Sequence, residues 1–210
     1  MQTVTRRRAV WGLLVVTIVW GATFIWMKQA MNALQSEIDF YGQTAVVSVL
    51  VGGRFLIAAI ALFIGSSKAR AALREKELWS GGTVLGLILL VGFTTQMVGI
   101  DTISPSTSAF LTSLYVVFTA MISTKMTGQP VTRMMIAGVL LATFGAGFIE
   151  GPPHLSWGKG EILTVICAFF FALHIIFTQS ITQRMDPLGV TITSFLIVSI
   201  GSLAISFLMG

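Results

Sequence analysis

Seven apolar stretches, each long enough to cross a bilayer, fill this chain of 210 residues. They run over about 10–32, 44–66, 79–99, 105–124, 131–149, 160–179 and 188–209, and a charged or proline-marked break separates each from the next. A hydrocarbon core about 30 Å thick takes roughly 20 helical residues at about 1.5 Å of rise each. The pattern therefore predicts an all-α, polytopic transmembrane helical bundle. All five prolines (Pro105, Pro130, Pro152, Pro153 and Pro187) fall in the breaks, where a missing N–H and a fixed φ do least harm.

The charges set orientation and exclude one class of partner. Charged residues make up 10% of the chain against 55% hydrophobic, whereas a soluble domain carries about 25% charged residues. The net charge of +5 suggests nucleic acid, but the basic residues line no single face. They collect in alternate connections: Arg6, Arg7 and Arg8 before the first span, then Lys68, Arg70, Arg74 and Lys76, then Lys125 and Arg133, then Arg184. The remaining connections hold Glu37 and Asp39, then Asp101, then Glu150, Lys159 and Glu161. By the positive-inside rule this predicts a multi-pass protein of the cytoplasmic (inner) membrane with its N-terminus in the cytoplasm.

The basic start followed by an apolar run is also how secretory signals begin. This run is too long, has no small-residue cleavage site, and contains Trp11, Trp20 and Trp26, so an uncleaved first helix is expected. The single cysteine, Cys167, admits no internal disulfide, and His154 and His174 have no Cys or carboxylate at ligand spacing. No metal and no cofactor are expected. The absence of GxxxxGK[ST] argues against ATP-driven transport by this chain itself.

An internal echo organises the spans. IVWGATFIWMKQAM closes the first span, and FFFALHIIFTQSIT sits at the matching place in the sixth. Asp39 to Arg54 and Asp186 to Gly201 are both fifteen residues, each followed by a run of small and branched side chains. With five spans between the copies, an odd number, the second enters from the opposite side. Inverted repeats of this kind are a transporter architecture, with the substrate site between the halves. Residues 1–150 are read as a first five-helix repeat and residues 151–210 as the start of a second, incomplete one.

These stretches resemble the EamA family of the drug/metabolite transporter superfamily. The similarity is carried by VWGATFIWMK in span one, RFLIAAIALF in span two, and GFTTQMVGIDTISPSTSAFLTSLYVVF across spans three and four. GVLLATFGAGFI in span five and GEILTVICAFFFALHIIFTQ in span six continue it. The resemblance implies a ten-helix permease made of two five-helix repeats, moving amino acids, nucleotide-related metabolites, amines or drugs, often outward. Against that pattern this chain holds seven spans, so a fragment of a longer protein is expected. The resemblance also implies an arginine early in the second helix, and often a basic residue near Lys28.

Six residues are candidate liners of a central cavity. Arg54 is either a substrate contact in a central cavity or, if the span is offset with residues 44–52 partly above the membrane, an anchor near the outer interface, a reading that Gly52 and Gly53 support by fitting a helix start. Trp20 lies too deep for an aromatic belt and is a cavity wall or a packing residue. Gln96 needs a polar partner and should face the bundle. Ser108, Thr112, Tyr115, Thr119 and Ser123 form a polar stripe on span four, as a cavity lining or as close helix contacts. That span opens with Ser104 as a cap and Pro105 behind it, where an anion site is a further reading. His174 falls thirteen residues past Glu161, about 20 Å along a helix, in a stripe with Thr164, Cys167, Phe171 and Thr178. It is a proton relay or substrate contact, or an interhelical hydrogen bond. Lys28 reads as an outer-interface snorkel or as a substrate attractor. Gly82 with Gly86, and Gly138 with Ala142 and Gly145, read as close helix contacts.

The expected function is a secondary transporter of a small metabolite by alternating access. The alternative is a non-transporting membrane subunit or scaffold; a membrane-embedded enzyme is disfavoured, because His174 has no acid partner in the sequence. The expected partners are a small-molecule substrate and the lipid bilayer, with no nucleic acid; a homodimer is the one protein assembly considered.

Overall fold

The computed structural model describes residues 2–127, 132–134, 136–138, 140–141 and 158–210. Its helices are α1 (Gln2–Ala33), α2 (Gln35–Tyr41), α3 (Gln43–Gly65), α4 (Ser67–Ala72), α5 (Lys76–Ile100), α6 (Pro105–Ser113), α7 (Tyr115–Thr127), α8 (Lys159–Thr182) and α9 (Pro187–Met209). Six stretches among the described residues are long and apolar enough to cross a membrane: Val10–Ala33, Gln43–Gly65, Lys76–Ile100, Pro105–Thr124, Lys159–Thr182 and Pro187–Met209. They correspond to expected spans one to four, six and seven. The fifth, 131–149, lies largely outside the described residues. The protein is an all-α, multi-pass helical bundle.

Helix ends follow local chemistry. Ser104 caps α6 by accepting the Thr107 N–H at 3.0 Å, with Pro105 at the first helical position. Asp186 caps α9 in the same way, accepting the Gly189 N–H at 2.9 Å ahead of Pro187. In both, the side-chain oxygen satisfies an N–H that the helix leaves free, and proline loses no bond there. Arg70 donates to the Phe63 and Ile64 carbonyls at 2.7 and 3.0 Å and so closes the end of α3. Between α2 and α3 the chain turns at Gly42, which has φ 87°. With ψ 147° this is an extended, positive-φ conformation adopted essentially by glycine alone, and a side chain there costs about 1–3 kcal/mol. Gly42→Ala is therefore expected to lower the melting temperature of the detergent-solubilised protein by several degrees, and an unchanged melt would show that this turn is not held.

One expectation is corrected in span four. The sequence predicts one continuous helix over 105–124, but α6 ends at Ser113 and α7 begins at Tyr115. At Leu114 the backbone tightens: its N–H bonds to the Leu111 carbonyl at 3.2 Å rather than four residues back. The five-residue polar stripe is thus carried by two helical pieces.

α5 lies at the centre of the packing. On one side α9 runs parallel to it, in a ladder of rungs four residues apart: Leu78 with Gly189, Gly82 with Thr193, Gly86 with Ile197, and Leu90 with Gly201. Each rung has glycine on one side, which lets the helices approach closely where there is no hydrophobic force between them. On the other side α8 runs antiparallel, with Gly99 against Gly160 and Gly92 against Phe171. Gly82 and Gly86 thus make the helix contact expected of them. Gly138 meets nothing within 4 Å among the described residues, and Ala142 and Gly145 lie outside them.

α3 runs antiparallel to α9, with Ala45 beside Gly210 and Gly52 beside Ser202 and Leu203. α1 runs parallel to α5, since Lys28 near its end reaches the end of α5. The two echo pairs, α1 with α8 and α3 with α9, therefore run in opposite directions. The core between them includes Met27 and Met31 of α1, Val51 and Phe55 of α3, Phe93 and Met97 of α5, and Phe171 of α8. Ile18, Ile57, Ile64 and Leu87 point outward, the apolar exterior that hydrocarbon requires of a spanning bundle.

Candidate functional site

A cavity of about 370 Å³ opens in the middle of the bundle, and α1, α3, α5, α7, α8 and α9 all contribute to its wall. One aromatic ring from each forms a continuous chain. Phe195 lies 5.2 Å from Phe55, Phe55 lies 5.0 Å from Phe93, and Phe93 lies 5.1 Å from Phe171, all edge-on. Phe171 is 6.5 Å from Trp20, and Trp20 stacks on Tyr115 at 6.3 Å with 19° between the ring planes. Offset and edge-to-face pairs at these separations are the favoured aromatic geometries.

Local structure aims several of these rings. Tyr115 is the first residue of α7, immediately past the break at Leu114. Gly92 provides the seat of Phe171: a Cβ there would lie 2.8 Å from the ring. Phe171 in turn belongs to the α8 stripe, of which Thr164 and Cys167 are fully buried and His174 and Thr178 partly so.

Arg54 supplies the full charge. α3 runs unbroken for eleven residues on each side of it, so the reading in which the helix begins at Gly52–Gly53 is overturned. Gly52 is small because α9 crosses there: an added Cβ would meet Leu203 Cγ at 3.1 Å. The Arg54 guanidinium carbon stands 4.9 Å from the Phe93 ring centroid, and Nη1 is 3.6 Å from Met27 Sδ. The side chain keeps an exposed surface and also borders a second cavity of about 250 Å³, lined in part by Trp26, Met27 and Met97. An arginine at the centre of a span costs about 2.5 kcal/mol on insertion scales and over 10 in the harshest estimates. A cation–π contact returns about 0.5–2 kcal/mol, and the thioether is a weak acceptor. No carboxylate pairs with Arg54 among the described residues, and every Asp and Glu of the chain lies at a span end or in a connection.

Of the six residues singled out from the sequence, Trp20, Arg54, Tyr115 and His174 line this cavity. Gln96 and Thr112 do not. They pair with each other, Gln96 Nε2 donating to Thr112 Oγ1 at 3.2 Å, and both are buried where α5 meets α6. Gln96 Oε1 and the nearby Ser108 Oγ have no partner among the described residues. Lys28 is not among the residues lining the cavity; it donates to the Ile100 and Asp101 carbonyls at 3.0 and 2.5 Å, where a cation complements a helix C-terminus. Gln43 reinforces that end through Asp101 Oδ2 at 2.9 Å. Sequence reasoning missed Phe55, Phe93 and Phe195 as wall residues. One aromatic near the middle of successive spans was the available signal, but it is indistinguishable from packing in a chain so rich in phenylalanine.

Residues 7–150 match the EamA-like transporter family. An uncharacterized transporter of Archaeoglobus fulgidus is 29% identical over 178 residues, covering 84% of this chain and 50% of that protein. The chain thus spans about half the length of the curated relative it matches. No solved structure matches it. With the family match extending over more than half of the chain and the six apolar helices packed as described, the protein belongs to the EamA-like transporter family.

Proposed function

We propose that this chain forms part of a secondary transporter that carries a small metabolite across the cytoplasmic membrane by alternating access, with its N-terminus in the cytoplasm. The observation that carries this reading is the mid-bundle cavity, walled by six helices and holding Trp20, Arg54, Tyr115 and His174. The opposite directions of α1 and α8, and of α3 and α9, support a substrate site between two halves that rock against each other. The distribution of Lys and Arg supports the orientation.

The test uses the protein expressed from its complete reading frame and reconstituted in vesicles, with labelled small metabolites offered across an imposed pH gradient. Trp20→Ala and His174→Ala are each expected to lower initial uptake by about tenfold, equivalent to about 1.4 kcal/mol, with the amount of folded protein unchanged. Uptake unaffected by both would remove the cavity from the pathway, and absence of transport for every substrate offered would favour the non-transporting subunit.

A further inference from the structure

The cavity's chemistry narrows what it can take. Its volume of about 370 Å³ sits at the small end of ligand pockets, which run about 300–1,000 Å³. Its walls are rings, with faces and edges in contact from Phe195 through to Tyr115. Its charge comes from Arg54, whose contacts with Phe93 and Met27 offset only part of the penalty of holding a guanidinium at mid-span. No acidic residue borders it among the described residues. Neither Tyr115 Oη nor a ring nitrogen of His174 has a hydrogen-bond partner among them.

We propose that this cavity selects a small monocarboxylate with a flat, apolar body, paired through its carboxylate to Arg54. The inference rests on the transporter reading and specifies the substrate class of that same site. A guanidinium presents its donors as a planar fork that matches the two oxygens of a carboxylate. The ion pair relieves both the mid-span guanidinium and the anion, and away from bulk water each is disfavoured alone. The ring walls accept the flat body by stacking and edge contacts. A primary amine finds no carboxylate here among the described residues, and it is repelled by Arg54.

Binding tests this separately from transport. The full-length protein in detergent is titrated with three probes of one shape, 3-phenylpropionate, its neutral amide and 3-phenylpropylamine, with tryptophan fluorescence and calorimetry as readouts. The carboxylate is expected to bind at least tenfold tighter than the amide, and the amine weakest. Arg54→Gln should reduce carboxylate binding to the level of the amide, and Arg54→Lys, which keeps the charge but loses the fork, should restore part of it. Size-exclusion profiles establish that both variants are folded; if Arg54→Gln is not, the ranking of the probes on the unsubstituted protein decides. Equal or tighter binding of the amide or amine, or full carboxylate binding by folded Arg54→Gln, overturns the anion class while leaving the transport reading in place. If none of the three binds to folded protein, the flat-monocarboxylate class fails, and the transport reading is left to the uptake test.

Discussion

Gly82→Leu is expected to abolish most of the folded protein. A Cβ at this position would lie 2.6 Å from Thr193 Cβ and 3.0 Å from the backbone nitrogen of Ser194. Backbone cannot swing aside, so α5 and α9 must separate, and the rungs at Gly86 and Leu90 open with them. Overpacking a fitted contact costs about 1–3 kcal/mol; here the strain falls on a helix pair that also holds α3 in place. The measurement is the monodisperse peak in fluorescence-detected size exclusion, with a thermal series on what remains. The control is Gly53→Leu, where an added Cβ meets nothing within 4 Å among the described residues and little change is expected. Equal peaks for Gly82→Leu and Gly53→Leu would falsify the α5–α9 ladder.

The same substitution one face around the helix is expected to act differently. At Gly92 the neighbours of an added Cβ are Phe171 Cε1 at 2.8 Å and Cδ1 at 3.0 Å, a side chain that can rotate. Gly92→Leu should therefore leave the protein folded but push the Phe171 ring out of its seat and towards the cavity, disturbing its contacts with Phe93 and Trp20. Uptake in vesicles is expected to fall by about tenfold or more, with the size-exclusion peak largely retained. Loss of the peak would mean that Phe171 is as fixed as backbone, and normal uptake would mean that the aromatic wall does not border the transport route.

These two glycines also mark how far the sequence could be read. Gly82 and Gly86 announce a close contact by their spacing of four, but nothing local names Thr193 and Ile197, more than 100 residues away, as the partners. The stripe through Thr164, Cys167, Phe171 and His174 declares an inward face, and burial at the first three positions bears that out. It does not say that Phe171 will meet rings from α1 and α5. Gln96 was legible as a side chain in need of a polar neighbour, since an amide in hydrocarbon cannot go unbonded cheaply. That the neighbour is Thr112 rather than the cavity depends on how α6 lies against α5. The break at Leu114 was invisible, because no proline or glycine stands at that position.

Arg54 shows the division most clearly. Two adjacent glycines fitted a helix start, which supported the interfacial anchor as the alternative to a cavity contact. Gly52 is instead a contact with α9, and the helix continues through it.

The sequence by itself determined the solvent, the six spans among the described residues, the capped start at Ser104, and which face of α8 turns inward. Those features are set by hydropathy over one membrane thickness and by hydrogen bonds reaching three or four residues along the chain. The tertiary structure decided which rings join into one wall, that Arg54 borders the cavity, and that Lys28 and Gln96 are engaged elsewhere. Such outcomes follow from the relative rotation and depth of helices far apart in sequence, which are fixed only when glycine-lined faces of α5 lock α8 and α9 into register.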